Sequence, residues 1–157
     1  MIAPNGSRGS HATEDGSRDR PTWLDRSFQL AYVAAYRMMR VYWAVRKPNT
    51  HGALVLLWHE GEVLLVRNSY VRYHSLPGGY VRKHETSRQA ALRELAEEIG
   101  VIARAEQLEP LLDEKNDWEG KRDHVEIFAL EVSERPVVRV DRREVVEASW
   151  HSPEAAL

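Results

Sequence analysis

The chain has 157 residues, which suits one domain with a full hydrophobic core and is short for two. Hydrophobic residues at 43% and charged residues at 29% exclude collagen-like, mucin-like and wholly disordered classes. A net charge of −2 gives no bulk attraction to nucleic acid, and the absence of cysteine excludes disulfide scaffolds, thiolate catalysis and thiolate-bound metals.

The first 20 residues are rich in Gly, Ser, Asp and Arg and contain no apolar run. This composition predicts a disordered tail, and the segment lacks the hydrophobic region that a secretory signal needs. A cytoplasmic location is therefore expected.

Residues 21–47 have the apolar periodicity of one long amphipathic helix, beginning near Thr22 and ended by Pro48. Arginines interrupt the apolar residues, so the helix cannot span a membrane. The helix can pack on its own domain, pair with a second copy in a homodimer, or lie on a membrane, the least favoured alternative. Its apolar stripe consists of Leu24, Phe28, Ala31, Tyr32, Ala35, Met38, Met39, Tyr42 and Val45.

Residues 48–157 predict a second unit, an α/β domain with a mixed sheet. Its first two strands form a hairpin around His59, Glu60 and Gly61. A helix is predicted from about Thr86 to Ile99. The strand candidates are 51–58, 62–67, 108–112, 124–132, 136–140 and 145–150.

The predicted helix at 86–99 has a signal at each end. Thr86 and Gln89 form a capping-box pattern, and Gly100 supplies a C-terminal stop. One stripe, made of Ala91, Leu92, Leu95 and Ile99, is predicted to be buried against the sheet. On an adjacent face lie Glu94, Glu97 and Glu98, whose like charges repel at this spacing, so a cationic group is expected beside them.

The segment from Gly79 to Val101 follows the pattern G-x5-E-x7-R-E-U-x-E-E-x-G-U at every fixed position, where U is a bulky aliphatic residue. The glutamates of the predicted helix are part of this pattern. The segment resembles the Nudix box, and the chain is similar to the Nudix hydrolase family from about residue 48 onward. The N-terminal helix lies outside the resemblance.

The resemblance implies an α/β/α sandwich around a mixed sheet. It also implies a hydrolase that cleaves the pyrophosphate bond of a nucleoside diphosphate linked to another moiety, with Mg²⁺ or Mn²⁺ as cofactor. By position, Arg93 would orient the carboxylates and Glu85 would brace the loop. The implied metal ligands are the carbonyl of Gly79 and the side chains of Glu94, Glu97 and Glu98.

Two residues are candidates for the base that accepts a proton from the attacking water. Glu94 is the first choice, because its position in the family combines metal binding with base work. Glu144 is the second, because it lies six residues before Trp150 and resembles an extra acidic residue of some members. Its charged run also fits an exposed loop.

Basic residues near the box are candidates for contact with substrate phosphates. Arg82 and Lys83 follow Gly79 where many relatives carry an acidic residue and a glycine, and Arg67 flanks the same region. A solvated loop is the alternative. Tyr73 and Trp118 are candidates to stack on a base.

No motif outside the box selects a particular nucleotide, so the predicted partner is a small-molecule nucleotide of unspecified type. A nucleotide-binding regulatory module with the Nudix fold and little catalysis is the alternative function. The complete set of glutamates favours the enzyme.

Overall fold

The computed structural model describes residues 22–118 and 121–156, so the tail predicted for residues 1–20 lies outside the described part. The helices are α1 (Trp23–Arg46), α2 (Ser87–Ile99) and α3 (Pro153–Ala156), with a short 3₁₀ turn at Ala105–Gln107. The strands are β1 (Asn49–His59), β2 (Glu62–Asn68), β3 (Gly78–Tyr80), β4 (Glu109–Trp118), β5 (Lys121–Glu131) and β6 (Val145–His151).

The six strands form one mixed sheet in the order β4-β5-β1-β2-β6, and β3 pairs with β1 off this path. The β1–β5 pair is parallel and the other pairs are antiparallel. Strands β1 and β2 pair at only two positions before they diverge, and β3 occupies the space along the other part of β1. This divergence opens the sheet beside β3.

Helix α2 covers one face of the sheet. Its predicted caps are present: Thr86 and Gln89 form the capping box, and Gly100 ends the helix with a φ of 70°. Ala91, Leu95 and Ile99 are fully buried in the main core, and Leu92 packs against its edge. The core also contains alternate residues of β1, as expected for a strand with one face toward a helix.

Helix α1 begins after a Thr22 cap and packs on its own domain, on the face of the sheet opposite α2. The contacting side overlaps the predicted apolar stripe only in part, because it includes the stripe residue Tyr32. It carries Gln29, Tyr32, Tyr36 and Trp43, of which Trp43 is buried, while the stripe residues Leu24, Met38, Tyr42 and Val45 remain exposed. The docking side is aromatic because it meets a polar and aromatic part of the sheet rather than an aliphatic core.

Two strand predictions need correction. Residues 136–140 are a strand candidate in the sequence, but they form a loop without ladder pairing, and the Arg139 N–H of this loop donates to Ile99 O at the end of α2. Strand β3 was not predicted, because its two glycines indicate a turn and its ladder depends on β1. The hairpin turn at Glu60 and Gly61 is confirmed, with both residues at positive φ.

The fold is an α/β sandwich around a mixed sheet, preceded by a long N-terminal helix, as the sequence predicts. Among the described helices none, including α1, is long and apolar enough to cross a lipid bilayer.

Gly78 has a φ of 145°, and a Cβ there would lie 2.7 Å from the Leu54 Cα. We therefore expect Gly78→Ala to lower the free energy of unfolding by about 2–5 kcal/mol, because the backbone strain and the overlap add. Gly52→Ala is the control, since its Cβ would meet Gly79 O at an ordinary 3.7 Å. Urea denaturation measures both. Equal stability of the two variants would contradict the close approach of β3 to β1.

Candidate active site

Two glycines of β3 bring its backbone against the glutamates of α2. The Gly78 N–H donates to Glu98 Oε2 at 2.8 Å, and Glu98 is only 7% exposed. At Gly79 a Cβ would lie 2.7 Å from Glu94 Cδ, so the carboxylate of Glu94 fills the space that a side chain would need. The lack of side chains at Gly78 and Gly79 thus allows β3 to lie close to α2.

Arg93 joins the acidic groups on the outer side of α2. Its Nε and Nη2 donate to the two oxygens of Glu85, at 3.1 and 2.8 Å, and its Nη1 donates to Glu94 at 2.6 Å and to Glu97 at 3.1 Å. A further bond from Nη2 reaches Tyr80 O at 3.0 Å. The cation expected beside the glutamates is therefore present in the box itself.

These bonds change the acidity of Glu85. The guanidinium of Arg93, together with the backbone N–H of Arg82, lowers the pKa of Glu85 to about 2. Glu85 remains ionised and holds the loop after β3 against α2.

The opposite shift occurs at Glu98. Burial raises the pKa of Glu98 to about 8, the hydrogen bond from Gly78 opposes the rise, and the charges of Glu94, Glu144 and Asp141 add to it. Without a cation, the site therefore favours a proton on Glu98 at neutral pH. A group with this pKa among other carboxylates is typical of a cation-binding or catalytic centre.

Glu144 is part of this cluster rather than a solvated loop residue. Its Oε1 accepts from Tyr70 Oη at 3.1 Å, and burial followed by the charge of Glu94 raises its pKa. Asp141 holds the loop in place, because its Oδ1 accepts backbone N–H groups of Arg143, Glu144 and Val145 at 3.0 to 3.1 Å.

The donors of this cluster suit a hard divalent cation. They are carboxylate oxygens, together with the backbone of Gly79 beside Glu94. Magnesium and manganese prefer such oxygen ligands. A bound cation would also relieve the repulsion that raises the pKa of Glu98. Glu97 is half exposed and forms ion pairs with Arg93 and Arg82.

A second group of potential ligands lies elsewhere on the sheet, where His51, His124 and Glu126 bring their donor atoms within 4.8 Å of one another. His51 Nε2 lies 2.8 Å from Glu126, His124 Nε2 lies 2.6 Å from Asp113, and the two rings stack at 4.2 Å. Ser87 also donates to Glu126. These groups already have partners in one network, so nothing in it requires a cation.

A cavity opens on the face of the sheet opposite α2, beside Gly78 and Gly79. It lies between α1, the diverging strands and the loop after β2. Most of its wall is aromatic or aliphatic, with a few polar groups. The lining includes Tyr36, Trp43, Leu54, Asn68, Tyr70, Tyr73, Tyr80, Lys121, Asp123 and Val125.

The basic residues predicted to contact phosphates lie in different environments. Arg82 donates to Glu97 at 3.2 Å, at the rim of the glutamate cluster, and Lys83 next to it is exposed. Arg67 forms an ion pair with Glu147 at 2.9 Å, across β2 and β6. The structure thus brings Arg82 to the cluster and leaves Arg67 engaged elsewhere.

Several residues of the site have no signal in the sequence. Tyr70, Asn68 and Asp141 reach it only through the loop after β2 and the loop before β6. Trp43 reaches it from α1. Of the two aromatic residues expected to stack on a base, Tyr73 lines the cavity, and the side chain of Trp118 lies outside the described part.

Comparison with known proteins agrees with the geometry. The family model of the NUDIX domain matches residues 48–157. No sequence among the curated proteins matches the chain.

Among solved structures, the chain is similar to the MutT protein from Methanosarcina mazei Go1, with 26% identity and a TM-score of 0.59 over 70% of this chain and 81% of that one. It is similar to an Ap4A hydrolase from C. elegans, with 22% identity and a TM-score of 0.58 over 68% and 85%. It is also similar to a bifunctional NMN adenylyltransferase/ADP ribose pyrophosphatase from Francisella tularensis, with 24% identity and a TM-score of 0.57 over 83% and 41%.

The raised pKa of Glu98 predicts how stability depends on pH. Between the ordinary value of 4.5 and about 8, the folded protein holds a proton that the unfolded chain has released. Each pH unit in that window therefore lowers the free energy of unfolding by up to about 1.4 kcal/mol through this group. Glu98→Gln removes this loss.

Urea denaturation in EDTA tests the prediction. We expect the variant and the parent protein to have similar stability at pH 5, and the variant to gain by at least about 2 kcal/mol at pH 8.5. Added Mg²⁺ should stabilise the parent protein more than the variant at pH 8.5. A stability difference that does not change with pH would contradict the assignment.

Proposed function

The chain belongs to the NUDIX family, and on that premise we propose that it cleaves the pyrophosphate bond of a nucleoside diphosphate linked to another moiety, with Mg²⁺ or Mn²⁺ as cofactor. It is a Nudix-type pyrophosphohydrolase, an enzyme acting on phosphorus anhydrides. The substrate class and the identity of the metal are the parts that we propose.

The observation that carries the proposal is the convergence of carboxylates on Gly78 and Gly79, which also line an aromatic cavity. Glu98 binds the Gly78 N–H, and Glu94 fills the space beside Gly79. The charge of Glu144 interacts with the charges of Glu98 and Glu94. A diphosphate beside these glycines would have its charged end at the carboxylates and its organic part in the cavity.

Each residue has a separate task in this proposal. Glu94, Glu98, the half-exposed Glu97 and the Gly79 carbonyl would hold the cation, which neutralises the diphosphate and acidifies a water when bound. Arg93 keeps the carboxylates of Glu85, Glu94 and Glu97 in fixed positions.

A carboxylate must accept the proton of the attacking water. Glu94 is the first candidate, because it lies directly against Gly79. Glu144 is the second candidate. Its contacts in the structure are stronger support for this role than its position in the sequence. Its raised pKa makes it a better proton acceptor than an ordinary surface glutamate, and the Tyr70 hydroxyl orients it.

The similar structures are described as a MutT protein, an Ap4A hydrolase and an ADP ribose pyrophosphatase, and these names do not agree on one substrate. The alternative function, a nucleotide-binding regulatory module, predicts binding without turnover. Pairing of two copies through the exposed stripe of α1 and a cytoplasmic location also stay predictions of the sequence.

Replacement of the central glutamates tests the catalytic proposal. Glu94→Gln and Glu98→Gln keep the shape of each side chain and delete its charge, so each should lower kcat by about 100-fold or more. Magnesium-dependent phosphate release from nucleotide substrates measures the effect. Glu131→Gln, an exposed glutamate on β5, should leave kcat unchanged.

The same assay separates the two candidate bases. If Glu144 accepts the proton, Glu144→Gln lowers kcat while the Mg²⁺ concentration for half activity stays constant. If Glu94 has both tasks, Glu94→Gln changes kcat and the Mg²⁺ requirement together. Unchanged turnover in Glu94→Gln and Glu98→Gln would exclude the mechanism.

The basic loop gives a test of phosphate contact. Arg82 lies at the rim of the cluster beside Glu97, so the pair Arg82→Ala and Lys83→Ala should raise KM more for a nucleoside triphosphate than for a nucleoside diphosphate sugar. The exposed pair Arg37 and Arg40 on α1, changed in the same way, is the control. Equal changes for both substrates would favour a solvated loop.

A further inference from the structure

We propose that α1 is part of the substrate site, and that Tyr36 and Trp43 form one wall of a pocket for a single nucleobase. The inference rests on the proposed function and specifies where the organic part of the nucleotide binds. The NUDIX model begins at residue 48, so these side chains come from outside the matched family region.

Position is the first argument. The cavity is lined by Gly78 and Gly79, the same backbone that lies against Glu98 and Glu94. Tyr36 and Trp43 of α1 line the same cavity. A ligand with a phosphate at the glutamates therefore extends toward the helix.

The wall suits a planar ring. Tyr36 contacts Tyr70 at a centroid distance of 4.9 Å and Trp43 at 6.1 Å, and Tyr73 and Tyr80 line the same cavity. Aromatic side chains bind bases by stacking, and this binding tolerates different bases. Small-molecule sites are commonly apolar with a few placed polar groups, as here.

One polar group in the lining has no partner among residues 22–118 and 121–156. Asn68 is nine-tenths buried, and its Nδ2 donates to Tyr70 Oη at 2.8 Å, while its Oδ1 accepts no hydrogen bond. A buried acceptor left unpaired costs free energy. This oxygen is closed to solvent, so a ligand in the cavity would contact Asn68 through other atoms of its side chain.

The wall from α1 is fixed in place. Trp43 is 5% exposed and lies over Lys121 Nζ, with 4.9 Å between that atom and the ring centroid. Lys121 donates to Asp123 at 2.9 Å and to Tyr80 at 3.2 Å, and Thr50 donates to Asp123 at 2.6 Å. This arrangement holds α1 against β5 without a ligand, as a preformed pocket requires.

The size of the cavity limits the ligand. Its volume of about 230 Å³ lies below the roughly 300–1,000 Å³ of sites for drug-sized molecules. It therefore holds one ring system with adjoining atoms. The second moiety of the substrate stays outside, beyond the glutamates.

Binding of AMP and ribose 5-phosphate isolates the contribution of the base. Both carry a phosphate on ribose, neither contains the anhydride that the enzyme cleaves, and they differ in the base. With Mg²⁺ present, we expect at least one of AMP, GMP, CMP and UMP to bind at least tenfold more tightly than ribose 5-phosphate by calorimetry. If none of the four does so, the inference is wrong.

Variants of α1 test whether this helix causes the tighter binding of the nucleotide than of ribose 5-phosphate. Tyr36→Leu should reduce the ratio of the two dissociation constants by about 5- to 100-fold, which is the range for loss of one stacking contact. Tyr36→Phe keeps the ring and should keep the ratio. Tyr42→Leu is the matched control, a tyrosine of the same helix that is 54% exposed. Equal ratios in Tyr36→Leu and Tyr42→Leu would overturn the role of α1.

A second variant in the cavity distinguishes loss of base binding from loss of folding. Tyr73 lines the same cavity and is 53% exposed, so Tyr73→Leu should lower the ratio without loss of thermal stability. Trp43→Leu has a matched control in Trp23→Leu, a tryptophan of α1 that is 74% exposed. A lower ratio in Trp43→Leu than in Trp23→Leu supports the wall, and equal ratios contradict it.

Failure of the pocket and failure of the catalytic proposal give different results. Hydrolysis of nucleoside diphosphate derivatives with an unchanged ratio in Tyr36→Leu would keep the function and remove the pocket. A base preference that depends on Tyr36, without any hydrolysis by the parent protein, would support the pocket and contradict the proposed hydrolase function.

Discussion

The guanidinium of Arg93 is the interaction on which the arrangement of the site depends. Four carboxylates, those of Glu85, Glu94, Glu97 and Glu98, lie on or beside one short helix, and their mutual repulsion opposes folding. Arg93 bonds three of them and the carbonyl of Tyr80. Burial and the neighbouring carboxylates raise the pKa of Glu98, which receives no bond from Arg93, whereas the bonds from Arg93 lower the pKa of Glu85.

The shape of the sheet decides where a ligand can approach these charges. Because β1 and β2 separate after two residue pairs, β3 can lie along β1 and present its glycines to α2. The same separation leaves the cavity on the other face. The glutamate cluster and the cavity are therefore both adjacent to β3, a strand of three residues. The glutamates lie on one face of β3 and the cavity lies on the other.

The sequence predicts the parts of this arrangement that depend on local patterns. The caps of α2 and the buried stripe of that helix follow from spacing along one element, and the structure confirms them. Strand β3 could not be predicted in this way, since its pairing comes from β1. Residues 136–140 are a strand candidate in the sequence, yet they pair with no strand of the described residues. Pairing partners that are distant in sequence leave no local signal.

The docking side of α1 illustrates the same limit. The predicted apolar stripe gives the stronger periodic signal, yet of the aromatic residues through which the helix packs, Tyr32 lies in that stripe and Tyr36 and Trp43 do not. An amphipathic ring can contact apolar and polar neighbours together, and the surface under α1 offers both. Hydrophobic periodicity depends only on the hydrophobicity of each residue. It therefore cannot identify a helix face that packs through specific contacts with Lys121 and Tyr70.

The contacts of α1 also connect it with the cluster of acids. Gln29 donates to Arg142 O at 2.8 Å, and Tyr32 stacks on Tyr70, whose hydroxyl donates to Glu144. Burial and the charge of Glu144 raise the pKa of Tyr32, so this hydroxyl stays protonated beside the carboxylate. A segment outside the matched family region thereby touches both the loop that carries Glu144 and the wall of the cavity. Because one rigid helix makes both contacts, displacement of α1 would change the position of Glu144 and the shape of the pocket together.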